Sequence, residues 1–261
     1  MKIGAYQFEV SGNEEQNFAR IREGIEKAVS NGVRLLLFPE CAVTGYPPHC
    51  IGSSSEVRFD AVERIHDRIQ ALAEEHQIFL VVGTILEEDG KHYNAAMLFC
   101  PDGRRIPYRK RALWGWDRDN FSAGEDSGVV EIDSHKVGIR ICFEVRFPEY
   151  FRELYKEQTD LNLILFFDRS EQEDPERYEL IKGHIRTRAV ENVCHILTCN
   201  TAAAHQTAPT GLYDRSGRTL IELERGTEDL LIFDFEPAPL DFGERGRKEI
   251  SDLLMKTDGR Q

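Results

Sequence analysis

Three ionisable side chains in this sequence each follow or close an apolar run, and together they supply a carboxylate, an ammonium and a thiol. Glu40 comes after the run at 33–38, Lys110 after the segment at 104–108, and Cys142 closes the segment at 137–142. In acyl transfer a thiolate attacks the carbonyl, a carboxylate moves the protons and a fixed cation stabilises the oxyanion. The three residue types therefore predict one acyl-transfer site.

Each residue also has an ordinary structural alternative. A lone cysteine in an apolar strand is usually a small buried hydrophobe. Glu40 has the alternative of pairing with an arginine, and Lys110 that of being one of several surface cations. The chemical interpretation rests on the set of three rather than on any one member.

Strand-like and helix-like segments alternate along the chain, which is typical of a layered α/β domain. The strands are predicted at 3–8, 33–38, 78–84, 94–99, 104–108, 131–133, 137–142, 161–166 and 195–200, with a closing set up to residue 235. The helices are predicted at 13–30, 56–76, 148–156 and 175–192. This alternation places the three candidate residues at the carboxyl ends of strands, where α/β folds carry their chemistry.

The size and composition are those of a globular chain with a sizeable core. The chain has 261 residues, 41% of them hydrophobic, so one large domain is as plausible as two small ones, and no linker-like segment is seen. The tail at 236–261 is rich in proline, glycine and charge, and is predicted to be an arm or a contact with a partner subunit.

Charge and motifs argue against several classes of function. The net charge of -13 disfavours nucleic acid as a partner. Apolar runs are far shorter than the roughly 20 residues of a membrane helix, and the N-terminus lacks the features of a signal peptide, so a cytoplasmic protein is predicted. The six cysteines show neither Cys-x-x-Cys pairs nor zinc-ligand spacing, so neither a metal site nor a disulfide framework is expected.

The sequence motifs around the three residues identify a protein family more specifically than the residue types do. The sequence LLLFPE ending at Glu40, the sequence YRK ending at Lys110 and the sequence ICFEVRFPE around Cys142 resemble, in order, the glutamate, lysine and cysteine motifs of the nitrilase superfamily of carbon-nitrogen hydrolases. The resemblance extends over nearly the whole chain. It implies an α-β-β-α sandwich in a single domain over residues 1–261, a homodimer or higher homo-oligomer, and a site that needs neither metal nor cofactor.

The resemblance also implies a mechanism on a small-molecule amide. Cys142 would attack the carbonyl as nucleophile, Glu40 would act as general base, and Lys110 would stabilise the oxyanion. Asp117 is a possible supporting carboxylate, because many members carry a glutamate in the corresponding loop. An aspartate reaches one methylene less far, so orientation of substrate, positioning of Lys110 and plain exposure to solvent all stay open for Asp117.

The substrate is predicted from sparse signals. The aromatic residues placed near the site by the predicted strand ends are Trp114, Trp116, Phe143, Phe166 and Phe167. Arg146, Arg169 and Arg118 are candidates to bind a substrate carboxylate. The predicted substrate-binding residues are Trp114, Phe143, Arg146, Phe167 and Asp168. We expect an amidase for a small linear carboxamide. The alternatives are an N-carbamoyl amide hydrolase, a nitrilase, and a non-catalytic homologue that binds small molecules.

Overall fold

The computed structural model describes residues 1–257 and contains two six-stranded sheets. The first sheet has, in spatial order, the strands β12 (Asp229–Asp234), β1 (Lys2–Gln7), β2 (Leu35–Leu37), β3 (Phe79–Glu88), β4 (Lys91–Phe99) and β5 (Arg105–Arg109). The second has the order β11 (Thr219–Glu222), β10 (Gly211–Tyr213), β9 (His195–Cys199), β8 (Leu161–Leu165), β7 (His135–Ile141) and β6 (Val129–Ile132).

The centre of each sheet is parallel and its edges are antiparallel. Strands β1, β2 and β3 run parallel in the first sheet, and β7, β8 and β9 run parallel in the second. Parallel strands are buried on both faces, which explains why the segments Leu35–Leu37 and Leu161–Leu165 are continuously apolar or buried. The candidate residues extend from the carboxyl ends of β2 and β5 in the first sheet and of β7 and β8 in the second.

Residues 1–257 form six α-helices, of which four cover the outer faces of the two sheets. The six are α1 (Glu14–Ser30), α2 (Phe59–His76), α3 (Trp116–Asn120), α4 (Pro148–Lys156), α5 (Pro175–Asn192) and α6 (Phe242–Thr257). One buried cluster joins the inner faces of the two sheets, a second packs α1 and α2 on the first sheet, and a third packs α4 and α5 on the second. These layers confirm the predicted α-β-β-α sandwich.

Local signals account for the helix boundaries that agree with the sequence prediction. Asn13 caps α1, since its side-chain oxygen accepts from the backbone N–H of Gln16 at 3.0 Å. Pro148 and Pro175 occupy first helical positions, where the missing N–H costs nothing. The predicted helix at 56–76 instead begins at Phe59, because residues 54–56 form a separate 3-10 turn.

The tail forms a helix over most of its described length. The hydroxyl of Tyr155 on α4 donates to the carboxylate of Asp252 on α6 at 2.6 Å. Residues 258–261, which the sequence prediction includes in the arm, lie outside the described residues. Within residues 1–257, no helix combines the length and the apolar composition that a bilayer span requires.

Candidate active site

The candidate residues meet where the carboxyl ends of strands from both sheets come together. Glu40 lies three residues beyond β2 and Lys110 directly beyond β5, both in the first sheet, whereas Cys142 directly follows β7 in the second. The backbone N–H of Glu40 donates to the carbonyl of Phe166, just beyond β8, at 3.2 Å. A main-chain hydrogen bond therefore joins the two sheets at the site itself.

The Glu40 carboxylate is buried and held by three donors. Its Oε1 accepts from Lys110 Nζ at 2.8 Å and from Asn94 Nδ2 at 2.7 Å, and its Oε2 accepts from the backbone N–H of Phe167 at 2.8 Å. A carboxylate has about four acceptor positions, so one position on Oε2 is open to a proton among the described contacts. The three donors orient Glu40 without using all of its capacity as a base.

Lys110 lies between two carboxylates. Besides Glu40, its ammonium contacts Asp117 Oδ2 at 2.8 Å, and all three side chains are at least 96% buried. Asp117 is fixed from its other oxygen, because Oδ1 accepts from the Tyr46 hydroxyl at 2.7 Å. The structure thus places Asp117 against Lys110 and excludes the solvent-facing alternative.

Cys142 begins a 3-10 turn over Cys142–Arg146 and has a φ of +44°. The sequence predicts strand through Cys142, but β7 ends at Ile141, because the Ile141 N–H donates to the carboxylate of Glu144 at 2.6 Å instead of continuing a ladder. A positive φ is uncommon for a residue other than glycine and concentrates at functional sites. The sharp turn directs the thiol into a cavity of about 360 Å³ that Lys110 and Asp117 also line.

Burial and the neighbouring charges set the protonation of the three groups. Burial raises the pKa of the Cys142 thiol well above its ordinary value, the charge of Glu40 adds to this effect, and Lys110 opposes it. Burial also raises the pKa of Glu40, against the opposing effect of Lys110. For Lys110, burial disfavours the ammonium, but the charges of Glu40 and Asp117 outweigh it and hold the Lys110 pKa well above the usual range. At neutral pH these shifts favour a neutral thiol beside a charged lysine.

Aromatic rings form one part of the cavity wall. Tyr46 and Phe167 stack with ring centroids 5.1 Å apart, and His49 stacks on Phe167 at 5.9 Å. Trp116 meets the edge of His49 at 5.1 Å. The predicted residues Trp114, Trp116, Phe143, Arg146, Phe167, Asp168 and Arg169 all line this cavity. Phe166, also predicted there, instead packs in the core between the second sheet and its helices.

Some polar side chains of the cavity are already paired with other side chains, and others have no ion-pair partner among residues 1–257. The Asp168 carboxylate accepts from Arg177 at 2.8 and 3.0 Å and from the Thr207 hydroxyl, so it is already engaged. Arg146 and Arg169 form no ion pair with a carboxylate of residues 1–257, although the Arg146 guanidinium lies 5.8 Å from the Phe143 ring. Arg118 lies outside the cavity wall, over the Trp114 ring.

Tyr46, His49 and Glu144 are parts of the site that the sequence alone does not single out. Tyr46 and His49 lie in the loop after Glu40, in which no strand or helix signal fixes their position. Glu144 had a signal in the sequence, since it is a glutamate that closely follows an apolar run. It is buried behind the cavity wall, where it bonds to main chain. No cluster of three or more potential metal ligands occurs in residues 1–257.

Comparisons with known proteins agree with this architecture. The family model described as carbon-nitrogen hydrolase matches residues 2–240. An omega-amidase of Xenopus tropicalis is 29% identical over 213 residues, which cover 77% of this chain and 74% of the relative. A 2-oxoglutaramate amidase of Bacillus subtilis is 27% identical over 208 residues, covering 78% of this chain and 77% of the relative.

A solved structure shares the fold. The crystal structure of an amidase from Nesterenkonia sp. has a TM-score of 0.80 and 23% sequence identity, and the match covers 97% of this chain and 96% of that chain. At this identity the likeness bears on the fold alone. The family model spans most of the chain and confirms the resemblance seen in the three motifs: the chain belongs to the carbon-nitrogen hydrolase family, within the nitrilase superfamily.

Proposed function

We propose that this protein hydrolyses a small linear carboxamide to a carboxylate and ammonia through a thioester on Cys142. The observation that carries the proposal is the arrangement of the buried Glu40, Lys110 and Asp117 network beside a thiol that opens into a cavity. Amide hydrolysis needs a nucleophile, a proton carrier and a cation in one place, and this network supplies all three.

The first half of the reaction forms the thioester. As the Cys142 sulfur bonds to the amide carbon, its proton passes to Glu40, whose raised pKa suits it to hold that proton. Lys110 stabilises the negative oxygen of the tetrahedral intermediate, with the backbone N–H that follows Cys142. Glu40 then protonates the nitrogen, the C–N bond breaks and ammonia leaves.

The second half reverses these roles with water. Glu40 takes a proton from a water molecule whose oxygen bonds to the thioester carbon, and Lys110 again stabilises the oxyanion. The C–S bond breaks, the proton returns from Glu40 to sulfur and the carboxylic acid leaves. Because Asp117 and Glu40 together keep Lys110 protonated, the cation is available in both halves.

The curated relatives support the choice of an amide. Relatives are named omega-amidase and 2-oxoglutaramate amidase, names that refer to amides at the end of a carboxylated chain. In this chain, the two guanidiniums of Arg146 and Arg169 line the cavity without a carboxylate partner among residues 1–257. Arginine binds a carboxylate through two parallel hydrogen bonds, so we propose that the acyl chain ends in a carboxylate.

Ammonia release over a panel of substrates tests the proposal. The panel contains omega-amides of dicarboxylic acids, neutral aliphatic amides, N-carbamoyl compounds and nitriles, each with wild type and Cys142→Ala. Turnover of amides by the wild type and its loss in Cys142→Ala are expected. Turnover confined to carbamoyl compounds or nitriles would refute the amide as substrate in favour of that class of compound. No turnover of any compound in the panel would favour a non-catalytic binding protein.

Mass spectrometry tests the intermediate separately. Rapid quenching during turnover is expected to show the acyl group on the peptide that contains Cys142. Cys50 serves as the internal control, because it is the other partly exposed cysteine among the described residues. An adduct on Cys50 alone would contradict the assignment of the nucleophile.

We also propose a homodimer or higher homo-oligomer in the cytoplasm. Exposed apolar side chains on α6 support an association surface, since Phe242 is 88%, Ile250 57% and Leu253 54% exposed. Sedimentation at several concentrations measures the oligomeric state. A strict monomer would refute the association without bearing on the chemistry.

A further inference from the structure

Glu144 is a fully buried glutamate that does not line the catalytic cavity. Its Oε2 accepts from the backbone N–H of Ile141 at 2.6 Å, and its Oε1 accepts from the backbone N–H of Arg111 at 2.7 Å and from the Tyr108 hydroxyl at 2.8 Å. A buried carboxylate with three donors is held in one orientation, since losing any of them leaves a buried polar group unpaired.

The two main-chain donors flank the proposed catalytic residues. Ile141 immediately precedes Cys142 at the end of β7 in the second sheet, and Arg111 immediately follows Lys110 beyond β5 in the first sheet. One carboxylate therefore fixes the backbone next to the nucleophile and the backbone next to the cation. β5 and β7 belong to different sheets, so no ladder hydrogen bond joins them.

The strength of these bonds exceeds that of ordinary packing contacts. Hydrogen bonds to an ionised carboxylate are roughly twice as strong as those between neutral groups. The main-chain bond from Glu40 to Phe166 joins the two sheets at another point of the site, and the two main-chain bonds to Glu144 fix the separation of the segments next to Lys110 and Cys142. A displacement of about 1 Å between reacting groups is enough to lower a rate by about 10²-fold.

We propose that Glu144 is a positioning residue that holds Cys142 and Lys110 in register across the two sheets. The inference rests on the proposed function for its kinetic consequence. Glu144 acts through the backbone of the neighbouring residues and touches no substrate, so its loss affects the chemical step rather than substrate binding.

The variant Glu144→Gln tests this role. Glutamine keeps the volume but has only one oxygen, so its amide nitrogen must face either the Ile141 N–H or the donors from Arg111 and Tyr108. We expect kcat to fall by about 10²-fold with KM within threefold of wild type, measured well below the unfolding temperature. A purely structural role predicts a lower unfolding temperature with an unchanged kcat, which would overturn the proposal.

Tyr108→Phe is the matched control. It removes the third donor but leaves both main-chain bonds to Glu144, so kcat is expected to stay within about threefold of wild type. An equal loss of kcat in Tyr108→Phe and Glu144→Gln would assign the effect to the hydroxyl network and refute the main-chain link.

Glu144→Asp provides a second variant if the glutamine variant does not fold. Aspartate keeps the charge of Glu144, but its side chain is one methylene shorter. The same drop in kcat with unchanged KM is expected.

Alkylation of Cys142 by iodoacetamide separates this proposal from the proposed function. Sulfur bonds to the methylene carbon, iodide leaves and the thiol proton passes to Glu40, which Lys110 holds at 2.8 Å. The reaction therefore depends on the placement of Cys142 relative to the Lys110–Glu40 pair, without amide turnover. The rate constant for Cys142, followed by mass spectrometry, is expected to fall at least tenfold in Glu144→Gln and to be unchanged in Tyr108→Phe. If the wild type hydrolyses no amide, the proposed function fails while this comparison still decides the role of Glu144. Equal rates in wild type and Glu144→Gln would refute it.

Discussion

Gly83 on β3 packs directly against the backbone of Glu40. A β-carbon built on Gly83 would lie 2.6 Å from Glu40 Cα and 2.2 Å from the carbonyl oxygen of Pro39, both closer than real β-carbons approach. The Gly83 N–H also donates to that Pro39 carbonyl at 3.2 Å. The position of the proposed general base therefore depends on the absence of a side chain on the neighbouring strand.

Gly83→Ala is expected to displace Glu40 and to lower kcat by at least about tenfold, because the clash is with backbone, which cannot rotate away. Overpacking of this kind also lowers the free energy of unfolding by about 1–3 kcal/mol. Ammonia release and denaturant unfolding measure the two effects. Gly183→Ala on α5 is the control: a β-carbon there meets nothing within 4 Å, so activity is expected to be unchanged and stability to rise by about 0.5–1 kcal/mol. Wild-type activity in Gly83→Ala would contradict the close packing.

Asp117→Asn removes one of the two negative charges that hold Lys110. We expect kcat to fall by about 10²-fold, since the ammonium loses a charged hydrogen bond and its fixed position near the oxyanion. Asp119→Asn, on the exposed face of the same short helix, is the matched control and should leave kcat unchanged. If Asp117→Asn has the same kcat as Asp119→Asn, the charge of Asp117 has no part in catalysis.

The pH dependence follows from the direction of the pKa shifts. Glu40 must be ionised to accept the thiol proton and its pKa is raised by burial, so kcat/KM is expected to fall as pH decreases through a value above about 4.3, the ordinary pKa of glutamate. On the alkaline side, the raised pKa of Lys110 keeps its charge, so no loss from that group is expected up to about pH 10. A profile of kcat/KM from pH 4 to 10 measures both limits. Full activity at pH 4 would contradict the raised Glu40 pKa.

Arg146→Gln tests the proposed substrate carboxylate. We expect KM for an omega-amide that carries a carboxylate to rise by about 10–100-fold, corresponding to the loss of a charged hydrogen bond, with KM for a neutral amide unchanged. Arg118→Gln is the control, because Arg118 lies over Trp114 outside the cavity wall. An equal rise of KM for both substrates would indicate that Arg146 shapes the cavity rather than binding an anion.

The sequence predicts those parts of the molecule that local patterns determine. Helices α4 and α5 have their predicted bounds because a proline marks each first position and the apolar pattern defines their length. The sheets follow from apolar runs whose alternate residues face the shared core. The motifs around Glu40, Lys110 and Cys142 predict that these residues belong to one site.

Contacts between distant segments account for what the sequence does not predict. The turn at Cys142 begins one residue earlier than the strand pattern indicates, because Glu144 takes the last strand N–H. Tyr46 reaches Asp117 from a loop 71 residues away, and no local pattern predicts such a contact. Phe166 is as apolar as Phe167, but successive residues of an extended segment point to opposite sides, so only Phe167 reaches the cavity.

The main-chain bond between Glu40 and Phe166 lies at the end of the apolar layer between the sheets. This layer therefore affects the geometry of the site as well as the stability of the fold. The proposed base and the proposed nucleophile extend from opposite walls of that layer, so its thickness sets the distance over which the proposed proton transfer takes place. A substitution deep in the layer, far from any substrate, can change the rate by altering how the two walls meet. A partial separation of the two sheets would then abolish the proposed activity while most of the helices and strands persist.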